Sequence, residues 1–246
     1  WEDSRLPHPI TDLACQFRAS PAGVSITEIA ARHGSSVLSG RVEKSGLTLE
    51  GPLDLQFSAR KLALDTRMLD LLPPSWQAQW NNFLPAGEVD VDANFSFDGQ
   101  TWRQQASLQC LNVAFTYHKF PYRMERGRGR LELRDKALTF DLTALANTEE
   151  VRILGELTLA GPQTHGWTDI RGAGLLIDER LIRAMSDTVR PTISAMNPQG
   201  RFNLSLRLQR EAPGTDIWHK RAIIQFQDCS LRYEKFPYPL NGVFGT

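Results

Sequence analysis

The chain of 246 residues carries 28 Lys and Arg residues against 28 Asp and Glu residues, so its formal net charge at pH 7 is zero. That balance supplies no field to draw the chain onto nucleic acid, and we expect no nucleic-acid partner. A hydrophobic content of 41% excludes the composition of a disordered chain. No apolar run reaches the length of about 18 residues that a spanning helix needs, so membrane contact is expected only through parts of a longer parent protein.

Alternation of apolar and polar residues is the strongest local pattern. Every second residue from Val89 to Phe97 is apolar, with Asp, Asn or Ser between, and the segment from Phe202 to Leu208 repeats the pattern. Alternation with period two is typical of a strand that has one buried and one solvated face. Leu131 and Leu133, followed by an Asp135-Lys136 turn, predict a hairpin. The sequence therefore predicts a mainly β fold with short turns between antiparallel neighbours.

Two segments are predicted to be helical, and each follows a strand. Asp65 is placed to cap a run of apolar residues that is interrupted at Pro73-Pro74 and resumes towards Phe83. Asp178 is placed to cap a second run, which is interrupted at Pro191. We expect one short kinked helix at the same position in each half of the chain, with its apolar side on the sheet.

The chain also resembles itself. The motif Tyr117-His118-Lys119-Phe120-Pro121-Tyr122 recurs as Tyr233-Glu234-Lys235-Phe236-Pro237-Tyr238, and Leu6-Pro7-His8-Pro9-Ile10 is an earlier copy of Phe236-Pro237-Tyr238-Pro239-Leu240. The repeat length is about 115 residues, which is typical of a tandem array. We predict a first unit over residues 1–119, a second over 120–235, and the first strand of a third over 236–246, as in an internal fragment of a longer protein.

The Phe-Pro pairs are predicted to mark a strand end or an edge crossover. Proline cannot donate a hydrogen bond to a sheet, and it pushes the preceding residue into extended geometry.

A sheet with one continuous apolar face has to cover that face. One helix of about 18 residues spans only about 27 Å, which is too short to cover six strands. Two interpretations remain open: the apolar side chains pack on each other as a dry core, or they form a trough for lipid acyl chains. The candidate groove residues are Val89, Val91, Phe95, Phe97, Leu131, Leu133, Phe140, Val151, Ile153, Phe202, Leu204, Leu206 and Leu208.

Arginines cluster in one segment, with Arg126, Arg128 and Arg130 separated by glycines. They are candidates for contact with lipid headgroups, because guanidinium suits phosphate geometry. Their spacing of two also fits a solvated outer strand face that discourages edge pairing.

The sequence contains none of the motifs HExxH, GxSxG or GxxxxGK[ST], and no paired cysteines. Its histidines are scattered. We therefore expect no catalytic site, no cofactor and no metal.

The order of these elements resembles the AsmA-like family, most closely its large YhdP and TamB type. The resemblance is carried by the strand hairpins, the helix with Leu-Leu-Pro followed by Trp, the Pro-x-Gly opening of an alternating strand, and Tyr-x-Lys-Phe-Pro-Tyr. It implies a strongly twisted antiparallel sheet folded into a groove built of repeating units. It also implies a parent protein anchored in the inner membrane of a diderm bacterium and crossing the periplasm, with phospholipid moving along the groove to the outer membrane.

Two alternatives from other functional classes remain. One is a structural repeat spacer or adhesin with a dry core. The other is a scaffold for outer-membrane assembly that binds partners by pairing strands at an exposed sheet edge.

Overall fold

A computed structural model describes residues 8–48, 50–211 and 217–246. Thirteen strands form one antiparallel sheet, in which each strand is hydrogen-bonded to the next one along the chain. The strands are β1 Ile10–Ser20, β2 Gly23–His33, β3 Ser36–Ser45, β4 Leu53–Leu64, β5 Ala86–Phe97, β6 Trp102–Tyr117, β7 Phe120–Arg134, β8 Ala137–Ala146, β9 Glu149–Thr158, β10 His165–Leu176, β11 Gln199–Arg210, β12 His219–Tyr233 and β13 Phe236–Gly245. The predicted mainly β fold is confirmed.

The predicted hairpin is formed by β7 and β8. Leu133 pairs with Leu138 and Leu131 with Phe140, on either side of a two-residue turn at Asp135 and Lys136. A turn this short joins antiparallel neighbours and keeps alternating side chains in phase.

Helices interrupt the meander at three places, one of which is a three-residue 3₁₀ helix (Gly161–Gln163) between β9 and β10. Between β4 and β5, a 3₁₀ helix (Thr66–Leu71) precedes helix α1 (Pro74–Phe83); between β10 and β11 lie α2 (Glu179–Ala184) and α3 (Arg190–Met196). Asp65 and Asp178 are N-caps, as predicted: the Asp65 carboxylate accepts a hydrogen bond from Arg67 N and the Asp178 carboxylate from Leu181 N. The run after Asp65 winds as a 3₁₀ helix and stops before the proline pair, because neither Pro73 nor Pro74 can donate to an extending helix.

Several strands contain a β-bulge that keeps apolar residues on one face. In β4, Ala59 pairs with Val91 and Leu62 with Val89, so the two residues between them shift the alternation by one. Lys61 takes a left-handed conformation with φ of 52° there. A bulge inserts one extra residue in this way and restores the phase of the side chains that follow it.

The same device recurs in β7 and β12. Arg126, with φ of 52°, lies between Met124 and Gly127, and Asp228, with φ of 49°, lies between Phe226 and Cys229. Each bulge therefore leaves two consecutive residues, 125 and 126 in β7 and 227 and 228 in β12, that do not belong to the apolar face.

Two clusters of buried side chains lie close to the helical connections. Val89, Cys110 and Val113 form one, and Val151, Leu175 and Phe202 form the other. The second cluster also receives Leu181 from α2. The core is therefore concentrated at the end of the strands where the helices emerge.

The expectation that the arginine-rich segment discourages edge pairing is wrong. The segment lies in β7, which is hydrogen-bonded to β6 on one side and to β8 on the other. Of the two alternatives predicted for Phe120-Pro121, the strand end is correct and the edge crossover is wrong, because Phe120 begins β7 in the interior of the sheet, just after a tight turn. The two prolines of these motifs, Pro121 and Pro237, are each the second residue of a strand.

Replacing Phe202 by Ala should lower the free energy of unfolding by about 3 kcal/mol, because the residue is 7% exposed and removal of its ring leaves a cavity in the second cluster. Phe244→Ala is the matched control. Phe244 is 70% exposed, so the change should stay within about 0.5 kcal/mol. Denaturant unfolding measures both variants, and equal effects would contradict the assigned core.

Candidate apolar binding face

The sheet has one apolar and one polar face, as the strand register shows. Residues paired across antiparallel strands point to the same side, and residues two apart in one strand share a side. Val91 pairs with Ala59 on one side and Leu108 on the other, whereas its neighbour Asp92 pairs with Ser58 and Ser107. The two series remain separate from strand to strand.

All thirteen candidate groove residues lie on the apolar face. They come from β5, β7, β8, β9 and β11, and the pairs Leu131–Phe140 and Leu206–Ile170 are among those that link them. Val89, Leu133, Val151 and Phe202 are buried, and the remaining nine are half-buried. The structure therefore brings these residues together on a single surface.

One row of paired side chains runs across most of the sheet. From β3 to β11 it consists of Leu38, Ala59, Val91, Leu108, Leu131, Phe140, Gly155, Thr168 and Leu208. Gly155 makes room for an aromatic ring, because a Cβ at that position would approach Phe140 Cζ to 2.6 Å. At about 4.8 Å between strands, the twelve steps from β1 to β13 extend about 58 Å.

The helices reach this face at one end only. Helix α1 contacts β6, α2 contacts β7 and α3 contacts β12, and in the part of the chain that is described every substantial contact of a strand beyond its sheet neighbours is with a helix. Trp80 of α1 is buried, and Leu181 of α2 packs near Val151. Away from that end, side chains such as Phe95 and Leu208 are covered only in part and only by their neighbours in the sheet.

Ion pairs cover the opposite face. Arg60 lies 2.8 Å from the Asp92 carboxylate, and Arg152 lies 2.7 Å from that of Asp141. The hydrogen bond from Arg60 holds the pKa of Asp92 below its ordinary value, and Ser58, whose hydroxyl donates over 2.6 Å, acts in the same direction. Exposed ion pairs of this kind add little to the stability of the fold, but their charges keep this face of the sheet solvated.

A further group joins Asp169, Arg207 and Trp167. Arg207 lies 3.0 Å from the Asp169 carboxylate, and its guanidinium carbon sits 4.5 Å from the centre of the Trp167 ring. Both contacts fix the planar guanidinium against the polar face.

The three candidate headgroup arginines are not beside the groove candidates. Arg130 pairs with Gln109 and Asp141, and Arg128 with Thr143, which places both on the polar face. Arg126 occupies the bulge of β7. Contact with headgroups remains a prediction, but these residues and the apolar series lie on different sides of the sheet.

Three other cations do belong to the apolar face, at the end of the strands away from the helices. Lys44 pairs with Leu53 and Val24, Arg210 with Gly166, and Lys220 with Leu208. They are not among the residues predicted from the sequence. Their position in the alternation could have identified them, because each lies two residues from an apolar member of the same face. These members are Val42 for Lys44, Leu208 for Arg210 and Ala222 for Lys220.

Arg210 is 6% exposed and donates to Pro162 O at 2.7 Å and Thr164 O at 3.2 Å. Lys44 Nζ donates to Gly51 O at 2.8 Å. These bonds hold positive charge at the border of the face, where an apolar surface meets polar loops.

Residues 8–48, 50–211 and 217–246 contain no group of three His, Cys, Asp or Glu side chains arranged to hold a metal ion. None of the helices in these ranges is both long enough and apolar enough to cross a bilayer. No family model, curated protein or solved structure matches the chain. The site is therefore characterised by its own geometry.

Replacing Arg60 by Gln should raise the pKa of Asp92, because the largest cause that lowers it is the hydrogen bond from Arg60. A carboxyl whose pKa is lowered by folding contributes stability above its ordinary value of 3.8, and this contribution is lost as the pH falls through the folded-state pKa. The variant should therefore lose less stability on acidification. Carboxyl ¹³C NMR follows the titration, and Arg103→Gln, on the same face, should leave Asp92 unchanged.

Proposed function

We propose that the apolar face is the wall of a groove for phospholipid acyl chains, and that this chain is a segment of an elongated bridge carrying phospholipid between two membranes. The observation that carries the proposal is that the thirteen candidate residues, from five different strands, share one face that no second sheet layer covers among the described elements. Burial of one CH₂ group contributes about 0.8 kcal/mol, so acyl chains would be held without any specific polar contact.

The resemblance to the AsmA-like family gives the proposal its setting. It implies a location in the periplasm of a diderm bacterium, a parent protein anchored in the inner membrane, and a twisted sheet that folds over to form the conduit. No catalytic step is part of this role, and the neighbouring repeats of the chain would be its structural partners.

The two helical connections support a repeated unit. The thirteen strands divide into six, six and one, with both helical connections after the fourth strand of a unit. Leu84 and Asn197 end their helices with nearly identical left-handed conformations, φ 43° and φ 41°. Both helices are then tied to the following hairpin in the same manner, by His118 N donating to Asn82 O at 2.8 Å and by Glu234 N donating to Ala195 O at 3.0 Å.

The predicted unit boundaries lie in the turns just before Phe120 and Phe236, and strand pairing continues across both turns. An apolar interior formed in each unit would therefore be continuous from one unit to the next.

The cations on the apolar face suggest how a lipid would be oriented. Lys44, Arg210 and Lys220 lie at the strand ends opposite the helices. Acyl chains on the apolar rows would leave phosphate groups at this border, where lysine and arginine satisfy the negative charge. Arg126, Arg128 and Arg130 are the less favourable candidates for that contact because of their placement.

The alternatives make different demands on the structure. A spacer or adhesin with a dry core needs apolar side chains that meet across the interior. An assembly scaffold needs a free strand edge, and β1 and β13 each pair on one side within the described sheet. The experiments below separate both from the lipid conduit.

A photo-reactive amino acid at Phe95 or Leu204 should form adducts with phospholipid when the chain is purified from a diderm periplasm. The same probe at Asn94 or Ser205, on the polar face of the same strands, should form none above background. Mass spectrometry detects the adducts. Absence of lipid adducts at all four positions, together with no co-purifying phospholipid in native spectra, would refute the conduit.

Replacing Leu206 by Asp should reduce bound phospholipid at least about tenfold, because an unpaired charge in an apolar setting costs several kcal/mol. Ser205→Asp introduces the same charge on the opposite face and should have little effect. Lipid analysis and thermal unfolding are measured together on both variants. Loss of stability in Leu206→Asp with no loss of lipid would favour the dry core.

A further inference from the structure

The surface of β7 near its start is covered by helix α2. Tyr122 is 9% exposed, and Met124, two residues further on, packs against the second apolar cluster, as Leu181 of α2 does. Asp178, the N-cap of α2, is close enough to Tyr122 to help raise the pKa of its hydroxyl, although burial is the larger cause. The helical connection that leaves β10 thus returns to the first strand of its own six-stranded group.

A related arrangement occurs near β1. Asp65, the N-cap of the 3₁₀ helix, lies within electrostatic range of His8, which stands just ahead of β1. In both places the capping aspartate of a helical connection lies within electrostatic range of a residue at or just ahead of the start of the strand that opens the group.

Strand β13 presents the same surface as β7. Phe236 pairs with Tyr233 as Phe120 pairs with Tyr117, and Leu240 pairs with Leu231 as Met124 pairs with Phe115. Tyr238 lies between these two pairs in β13, as Tyr122 does in β7.

The two surfaces differ in what covers them. Tyr238 is 71% exposed, against 9% for Tyr122, and Leu240 is 57% exposed. Together with Leu231 and with Ala195 and Met196 of α3, they line an apolar cavity of about 490 Å³. An exposed apolar surface of this kind marks an interaction site.

We propose that Tyr238 and Leu240, with the adjoining face of α3, form a docking site for a short amphipathic helix of the α2 type. Such a helix has an aspartate N-cap followed by a Leu-Ile pair, as in Asp178, Leu181 and Ile182. The argument rests on the repeated unit of the proposed function, because β7 provides the template: an equivalent strand surface in the same chain is closed by this kind of helix. It predicts that an array grows by placing the helix of one group on the opening strand of that group.

The site is tested with a fluorescent peptide that spans residues 176–197 of this chain, added to the full chain. Anisotropy should show saturable binding with a Kd below about 1 mM. Leu240→Asp should weaken it at least about tenfold, whereas Asn241→Asp, the same charge on the next residue of β13, should change it less than twofold. A peptide carrying Leu181→Asp should not bind.

A second form of the experiment compensates for the unfavourable free energy of forming so short a helix from a free peptide. The peptide is joined after Thr246 by a flexible Gly-Ser linker, which raises its effective concentration to the millimolar range. A photo-reactive residue at Tyr238 should then crosslink to the joined peptide and should fail to do so when the peptide carries Leu181→Asp. Circular dichroism confirms that each variant is folded.

Several outcomes would overturn the proposal. These are no crosslink in the tethered form, binding insensitive to Leu240→Asp, crosslinking of Tyr238 to a second copy of the chain, or adducts of Tyr238 with phospholipid. Lipid adducts at Phe95 and Leu204 are measured on the same preparations. If the helix does not dock but the lipid adducts persist, only the docking site is rejected. If the helix docks but no lipid adducts form, only the conduit is rejected.

Discussion

Strand register is the constraint on which this molecule depends. A shift of one residue between neighbouring strands would turn every apolar side chain of a strand to the polar face. The chain holds the register with short turns, such as Asp135-Lys136, and corrects it with bulges. At Lys61, Arg126 and Asp228 the backbone adopts a left-handed conformation, which is unfavourable for residues other than glycine. This conformational cost is offset because the apolar residues that follow each bulge return to the shared face.

The alternation in β5 and β11 and the hairpin of β7 and β8 could be predicted from the sequence, since period two and turn chemistry are local properties. The bulges were not predicted, although they leave a local pattern in the sequence: two apolar residues lie three apart inside a strand, as Ala59 and Leu62 do. The interior position of β7 could not be predicted from the sequence, because the residues of a strand do not show whether one or two other strands pair with it. Arg128 and Arg130 alternate out of phase with Leu131 and Leu133 once the bulge ends, which was the signal that they face away from the apolar series.

The helical segments lie where they were predicted, but the single kinked helix expected in each half is two separate helices, and their form depends on tertiary context. The residues after Asp65 and after Asp178 have the same capping aspartate, yet the first run winds as a 3₁₀ helix and the second as α2. Helix α2 is anchored by Leu181 in a buried cluster. The residues of the 3₁₀ helix are not buried. Packing of an apolar face supplies most of the stability of a short helix, so the sequence alone predicted the location and not the geometry.

A face formed by alternation makes few demands on individual residues. Any apolar side chain of similar size satisfies the same position, and the hydrophobic effect has no preferred direction. Polar positions are freer still, as the replacement of His118 by Glu234 and of Arg126 by Gly242 between the two halves shows. Where the chain must meet a geometric demand, its residues are restricted instead: Gly87 and Gly200 have φ of 125° and 123°, and an added Cβ would come within 3 Å of a neighbouring strand. The two halves therefore differ widely at exposed side chains but agree where the backbones of neighbouring strands come close, because there only a residue without a Cβ fits.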